Sequence, residues 1–244
     1  MGGPKVTDAG WRELAGLKNL QSLYLGGMCV AVVGLTDRAG RERMTSFTFL
    51  SVSGSRVTDA GLKELAGIKS LQTLSLAGAR LTGAGLKDLA GLESLQSLDL
   101  SNTKVTDADL EGLTGLKNLQ ALNLNNTKVT DAVFKGLTGL KNLQALDLDS
   151  TQVTDEGLKQ LAGRTSLRSL NLAFTQVTDV GLKHLSGLKN LQALSLESTR
   201  VTNEGLKVLA GLKSLQHLSV EATKVTEAGV VELLKALPGI KVVF

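Results

Sequence analysis

The run LQALNL at 119–124 alternates apolar and polar side chains, with Leu122 and Leu124 on one side and Ala121, Asn123 and Asn125 on the other. A period of two over so short a run predicts a β-strand with one buried face. Within the stretch VTDAGLKELAGI at 57–68, Leu62, Leu65 and Ile68 follow a helical spacing and predict a short helix with one apolar side. Thr58 or Asp59 is placed to cap the first turn of that helix. Gly67 stands where a left-handed residue would end it, and glycine returns at Gly91, Gly115, Gly139, Gly163, Gly187 and Gly211.

The two elements come back together. A Val-Thr or Leu-Thr pair opens each unit at 57, 81, 105, 129, 153, 177, 201 and 225, a constant step of 24. One strand and one helix that share an apolar side cannot bury it alone, but stacked units cover one another. Strands stack roughly 4.8 Å apart, whereas helices need about 10 Å. The array is therefore predicted to curve as a horseshoe, with a parallel sheet on the concave face and helices on the convex face. Two polar rows support the stacking. Thr103, Thr127, Thr151, Thr175, Thr199 and Thr223 follow the strands, and Thr106, Thr130, Thr154, Thr178, Thr202 and Thr226 precede the helices. Both are expected to satisfy backbone groups.

The unit core L-x-x-L-x-L-x-x-T, here Leu119, Leu122, Leu124 and Thr127, resembles the leucine-rich repeat family over nearly the whole chain. The helix start V-T-D-x-G-L-x-x-L is similar to the cysteine-containing subclass known from F-box proteins. This chain has Thr in place of Cys after the strand, one residue fewer before V-T-D, and no F-box. It looks closer to stand-alone bacterial arrays with 24-residue units. The resemblance implies an α/β solenoid that serves as a non-enzymatic protein-binding scaffold, without cofactor or metal.

All 244 residues are read as one solenoid domain. Residues 1–5 are expected to be disordered, and 6–56 to hold a first repeat plus an irregular one. Seven regular repeats span 57–224, and 225–244 is a closing element with Pro238-Gly239 before a last strand. Trp11 replaces a helix Leu in the first repeat, and nothing caps the N-terminal edge, which leaves an edge-to-edge dimer open. From Val6 to Val57 the distance is 51 residues, three more than two periods. The strand of the irregular repeat is placed at FTFLSVSGS, 47–55. Two readings of 26–56 stay open, a functional insertion or a degenerate repeat.

Composition adds little to this picture. The chain carries 27 basic and 23 acidic residues, a net charge of +4. A single cysteine, Cys29, excludes an intramolecular disulfide framework. The N-terminus lacks the apolar core of a signal peptide, and MCVAVVG at 28–34 is too short to span a bilayer. A cytoplasmic location is the expectation.

Catalysis has little to draw on. His184 falls on a helix, and His217 on the concave face has neighbouring serines but no positioned acid or oxyanion donor. The concave columns carry more. Asp99, Asp147, Asp149, Glu197 and Glu221 place five carboxylates on one sheet face, beside Asn123, Asn125 and Asn171. Like charges on one face are unfavourable, which points to a basic or amide-rich partner. A calcium site would need about 6–8 oxygens, and none is expected. Tyr24, Phe49 and Phe174 are candidate aromatic anchors. The candidate partner site is therefore Tyr24, Phe49, Asp99, Asn123, Asn125, Asp147, Asp149, Asn171, Phe174, Glu197, His217 and Glu221. Lysine rows on the helices and turns suggest an alternative, binding of a polyanion or membrane surface. Interspersed acids and missing stacking aromatics argue against nucleic acid. A more remote alternative is the substrate-recognition subunit of a larger complex.

Overall fold

A computed structural model describes residues 22–24, 59–81 and 83–244. Nine three-residue strands form one parallel sheet in chain order: β1 (Ser22–Tyr24), β2 (Thr73–Ser75), β3 (Ser97–Asp99), β4 (Ala121–Asn123), β5 (Ala145–Asp147), β6 (Ser169–Asn171), β7 (Ala193–Ser195), β8 (His217–Ser219) and β9 (Lys241–Val243). From β2 onward the register follows the sequence period. Leu74 pairs with Leu98, Leu98 with Leu122, and Leu122 with Leu146. The inward leucines of successive units thus stack directly: Leu74, Leu98, Leu122 and Leu146 are each no more than 2% exposed.

β1 pairs directly with β2, Leu23 against Leu74 and Tyr24 against Ser75. The leucine of β1 thus stands in the same register as that of β2. The strand expected at 47–55 lies outside the described residues. The expectations for 1–5, Trp11, Phe49 and the character of 26–56 lie outside the described residues, as does any contact of the N-terminal edge.

Opposite the sheet the chain forms short helical turns. Four-residue α segments at Asp107–Leu110, Asp155–Leu158 and Asp179–Leu182 run straight into 3₁₀ turns, and Leu86–Gly91 is 3₁₀ throughout. The tighter 3₁₀ coil fits more easily beside closely spaced strands. Longer α-helices stand at Asp59–Leu65, Asn203–Leu209 and Glu227–Ala236. Phe134 replaces a helix leucine and is buried at 1% exposure, as its position predicts.

The helix-end glycines play a different part from the one expected. Of Gly91, Gly115, Gly139, Gly163, Gly187 and Gly211, only Gly163 has a positive φ, 87°. At Gly115 a Cβ would lie 2.8 Å from the Ala90 carbonyl oxygen, so close packing of adjacent turns excludes a side chain there. The left-handed residue of each unit sits instead in the turn that leaves the strand, one place before the first Thr row. It is Gly78, Asn102, Asn126, Ser150, Phe174, Ser198 or Ala222, with φ between 51° and 66°. The threonine that follows closes the turn. Thr103, Thr127, Thr151, Thr175, Thr199 and Thr223 each donate a hydroxyl hydrogen bond to the carbonyl three residues back, at 2.5–2.7 Å.

The second Thr row is tied across units. Thr154 donates its N–H to Asp131 Oδ1 and its hydroxyl to Asp131 Oδ2, both at 2.7 Å. Asp107–Thr130, Asp155–Thr178 and Asp179–Thr202 repeat the arrangement. Asp131 faces Gly157 of the next unit, where a Cβ would collide with the carboxylate. Where the next unit keeps its glycine, the Asp and the Gly of V-T-D-x-G-L are thus two halves of one contact, while Asp107 makes its tie with Val133 in the glycine place.

Candidate functional site

The strands present two columns to the concave groove, which has a volume of about 750 Å³ and runs from β2 to β9, and a third column follows in the exit turns beside it. Its floor is made of small residues, Ser97, Ala121, Ala145, Ser169 and Ala193, until His217 and Lys241 end the column. With no bulky side chain in this column between β3 and β7, the middle of the sheet is accessible to an extended segment.

The next column is polar, and four of its members are tied to the backbone. Asp99, Asn123, Asp147 and Asn171 each accept, through Oδ1, the backbone N–H two residues on, at 2.9–3.1 Å. An Asx side chain here holds the exit turn of its own strand. Lateral contacts follow: Ser75 donates to Asp99 Oδ2 at 3.0 Å, and Asn171 hydrogen-bonds to Asp147. Partial burial pushes the Asp147 pKa above its usual carboxylate value. The hydrogen bonds from the Asp149 backbone and Asn171 oppose this, and the charges of Asp149 and Asp99 reinforce it.

The third column holds Asn125, Asp149, Ala173, Glu197 and Glu221 at the strand exits. Asp149 accepts the Ser150 hydroxyl at 2.7 Å. Among the described residues none of Asp99, Asp147, Asp149, Glu197 or Glu221 takes part in an ion pair. Phe174 stands at the same rim, 53% exposed with φ at 52°, and its N–H donates to the Glu197 carbonyl at 2.8 Å. Tyr24 lies in β1 opposite Ser75. The structure thus places Asp99, Asn123, Asp147, Asn171 and Tyr24 in one column and Asn125, Asp149, Glu197 and Glu221 in the next. Phe174 stands at the rim and His217 at one end. Phe49 lies outside the described residues.

Much of the basic charge is engaged elsewhere. Lys159 and Lys207 pair with Glu156 and Glu204 at 2.6 Å, and Lys135 with Glu111 at 3.8 Å. Lys69 and Lys213 donate to turn carbonyls of adjacent units. Half-buried Arg164 donates to the Leu137 and Leu140 carbonyls, and burial lowers its pKa. Sequence reasoning missed these inter-unit ties, because their acceptors are backbone groups. It also missed Asn118, Asn142 and Asn190, whose amides bind carbonyls one unit back. Their recurrence at step 24 was the available signal.

Among the described residues no cluster of three or more His, Cys, Asp or Glu is placed to hold a metal ion. No described helix is long and apolar enough to cross a membrane.

Comparison with known proteins agrees with this geometry. No curated protein matches the chain. In solved structures, the chain is similar to internalin C2 from Listeria monocytogenes at 24% identity and a TM-score of 0.60, covering 97% of this chain and 83% of that one. A leucine-rich repeat model matches residues 43–66. The model of the leucine-rich repeat region matches residues 63–236. With that match over most of its length, and with stacked strand-and-turn units in 24-residue register, the chain belongs to the leucine-rich repeat family.

Proposed function

We propose that this protein is a non-enzymatic interaction scaffold that holds a basic segment of a partner protein, or a basic peptide, along its concave face. The observation that carries this reading is the segregation of charge. In a chain of net charge +4, Asp99 and Asp147 line the groove whose floor is made of small side chains, Asp149, Glu197 and Glu221 follow in the exit turns beside it, and none is in an ion pair among the described residues. Opposed charge speeds encounter and selects partners. The site comprises Asp99, Asp147, Asp149, Glu197 and Glu221, with Asn123, Asn125, Asn171 and His217 beside them and Tyr24 and Phe174 as apolar contacts. The helix-side lysines support a polyanion site less well, since several are paired with acids or turn carbonyls.

The test uses Glu197→Lys/Glu221→Lys, which reverses charge at two positions that hold no turn together. Immobilised wild-type and variant protein are compared for retention of a fluorescent oligo-lysine peptide at about 0.15 M salt, where the screening length is about 8 Å. Wild type is expected to retain the peptide and the variant to lose at least tenfold in affinity. Equal retention would remove the concave face from consideration.

A further inference from the structure

We infer that Phe174 is the specificity anchor of this face, stacking on the guanidinium of an arginine in the bound segment while Asp149 and Glu197 receive its N–H groups. The inference rests on the concave-face reading and narrows the partner from basic to arginine-bearing.

Three observations meet at this residue. The first is conformational. The left-handed position is filled in the other described units by Gly78, Asn102, Asn126, Ser150, Ser198 and Ala222, all small or suited to positive φ. A bulky side chain at φ 52° is strained. Such strain persists where the surroundings enforce it, and it clusters at binding sites. The second is exposure. Burial does not offset the strain, because Phe174 is 53% exposed, whereas Phe134, a phenylalanine that does serve packing, is 1% exposed. The third is the setting. Asp149 precedes the ring by one unit and is oriented by Ser150, and Glu197 follows by one unit, its carbonyl bonded to the Phe174 N–H. Neither carboxylate is in an ion pair among the described residues.

An exposed aromatic side chain with a carboxylate one repeat to either side suits one side chain above others. Arginine is planar, stacks on rings and presents a fork of donors at its edge. Lysine offers a point charge with no plane to lay against the ring. The site should therefore discriminate between two residues of equal charge.

The experiment compares two fluorescein-labelled probes, Gly-Arg-Gly-Arg-Gly-Arg and its lysine counterpart, by anisotropy against the full chain at about 0.15 M salt. Wild type should bind the arginine probe about two- to fivefold tighter than the lysine probe. Phe174→Asn, which installs the residue found at Asn102 and Asn126, should abolish that preference, bringing arginine-probe affinity down to that of the lysine probe. It should also move the urea midpoint upward, an effect that loss of a packing residue would not produce. Asp149→Asn/Glu197→Gln should weaken both probes. A preference that survives Phe174→Asn, or a midpoint that falls, overturns the anchor while leaving the concave site in place. Failure of wild type to bind either probe overturns both.

Discussion

At the scale of single residues, the polar positions of each unit are set by backbone groups that need partners. The threonines after the strands show this most simply, each closing its own exit turn through a buried hydroxyl. Asp147 shows the same demand meeting a cost. It holds the Asp149 N–H, but partial burial and the nearby charges of Asp149 and Asp99 raise its pKa from 3.8. A carboxyl that binds its proton more tightly in the folded state contributes stability that is full below the unfolded value. That contribution is lost as pH rises through the raised folded value. At neutral pH the charged form is therefore a liability. Asn123 and Asn171 make the same turn contact from neutral amides. Asp147→Asn should accordingly raise the urea midpoint at pH 7, with the gain shrinking to nothing as pH falls toward 3.8. A pH series of unfolding curves for both proteins measures it, and a variant less stable at pH 7 contradicts the argument. The sequence made this column legible as acidic and concave. It did not reveal that the column is tethered, since the tether is a peptide N–H common to every residue type.

At the scale of elements, the helix starts explain the signature V-T-D-x-G-L better than helix capping alone does. Sequence reasoning gave Thr58 and Asp59 a local capping role. The Asp reaches into the next unit, where Gly157, Gly181 and Gly205 lie against the carboxylate, and Asp107 makes the same tie although Val133 stands in the glycine place. The unit that breaks the rule supports this account. Gly83 stands where V-T-D has its Asp, so Thr106 receives no carboxylate from the preceding unit. Asp109, standing where the glycine belongs, turns back and accepts both the Thr106 N–H and its hydroxyl at 2.8 Å. A Cβ at Gly83 would collide with the Asp109 carboxylate, so the two departures fit each other. Asp109→Gly alone should cost about 1–2 kcal/mol, as for loss of a helix cap. Gly83→Asp alone should also destabilise, by steric conflict and by crowding two carboxylates. The double variant restores the consensus pair and should be markedly less destabilised than the sum of the singles. A double-mutant cycle by urea denaturation reads the coupling directly, and strict additivity would show that the pair acts independently.

At the scale of the whole molecule, the architecture was legible because one number, the period, sets both the sequence pattern and the sheet register. What the period could not decide is which segments join the stack. The period alone does not say how the irregular stretch at 26–56 is accommodated, and that stretch lies outside the described residues. The exit-turn row was equally hidden, since Asn, Ser, Phe and Ala share no propensity that marks a common backbone state. Packing that is local to neighbouring units has a thermodynamic consequence. In such an array stability is close to a sum of unit and interface contributions, so the effect of a defect depends on its position. Leu146 and Leu218 are both inward strand leucines at 2% exposure, in β5 and β8. Each truncation to alanine should remove about 2–5 kcal/mol. Leu146→Ala lies between two flanking blocks and should weaken their coupling, giving a broadened or two-step unfolding transition. Leu218→Ala has only one strand beyond it, β9, and should fray that end while β2–β6 unfold as before. Amide hydrogen exchange separates the cases. Protection should fall around β4–β6 in the first variant and only in β8 and β9 in the second. Uniform loss of protection in both would mean that the sheet unfolds as one cooperative body rather than as coupled neighbours.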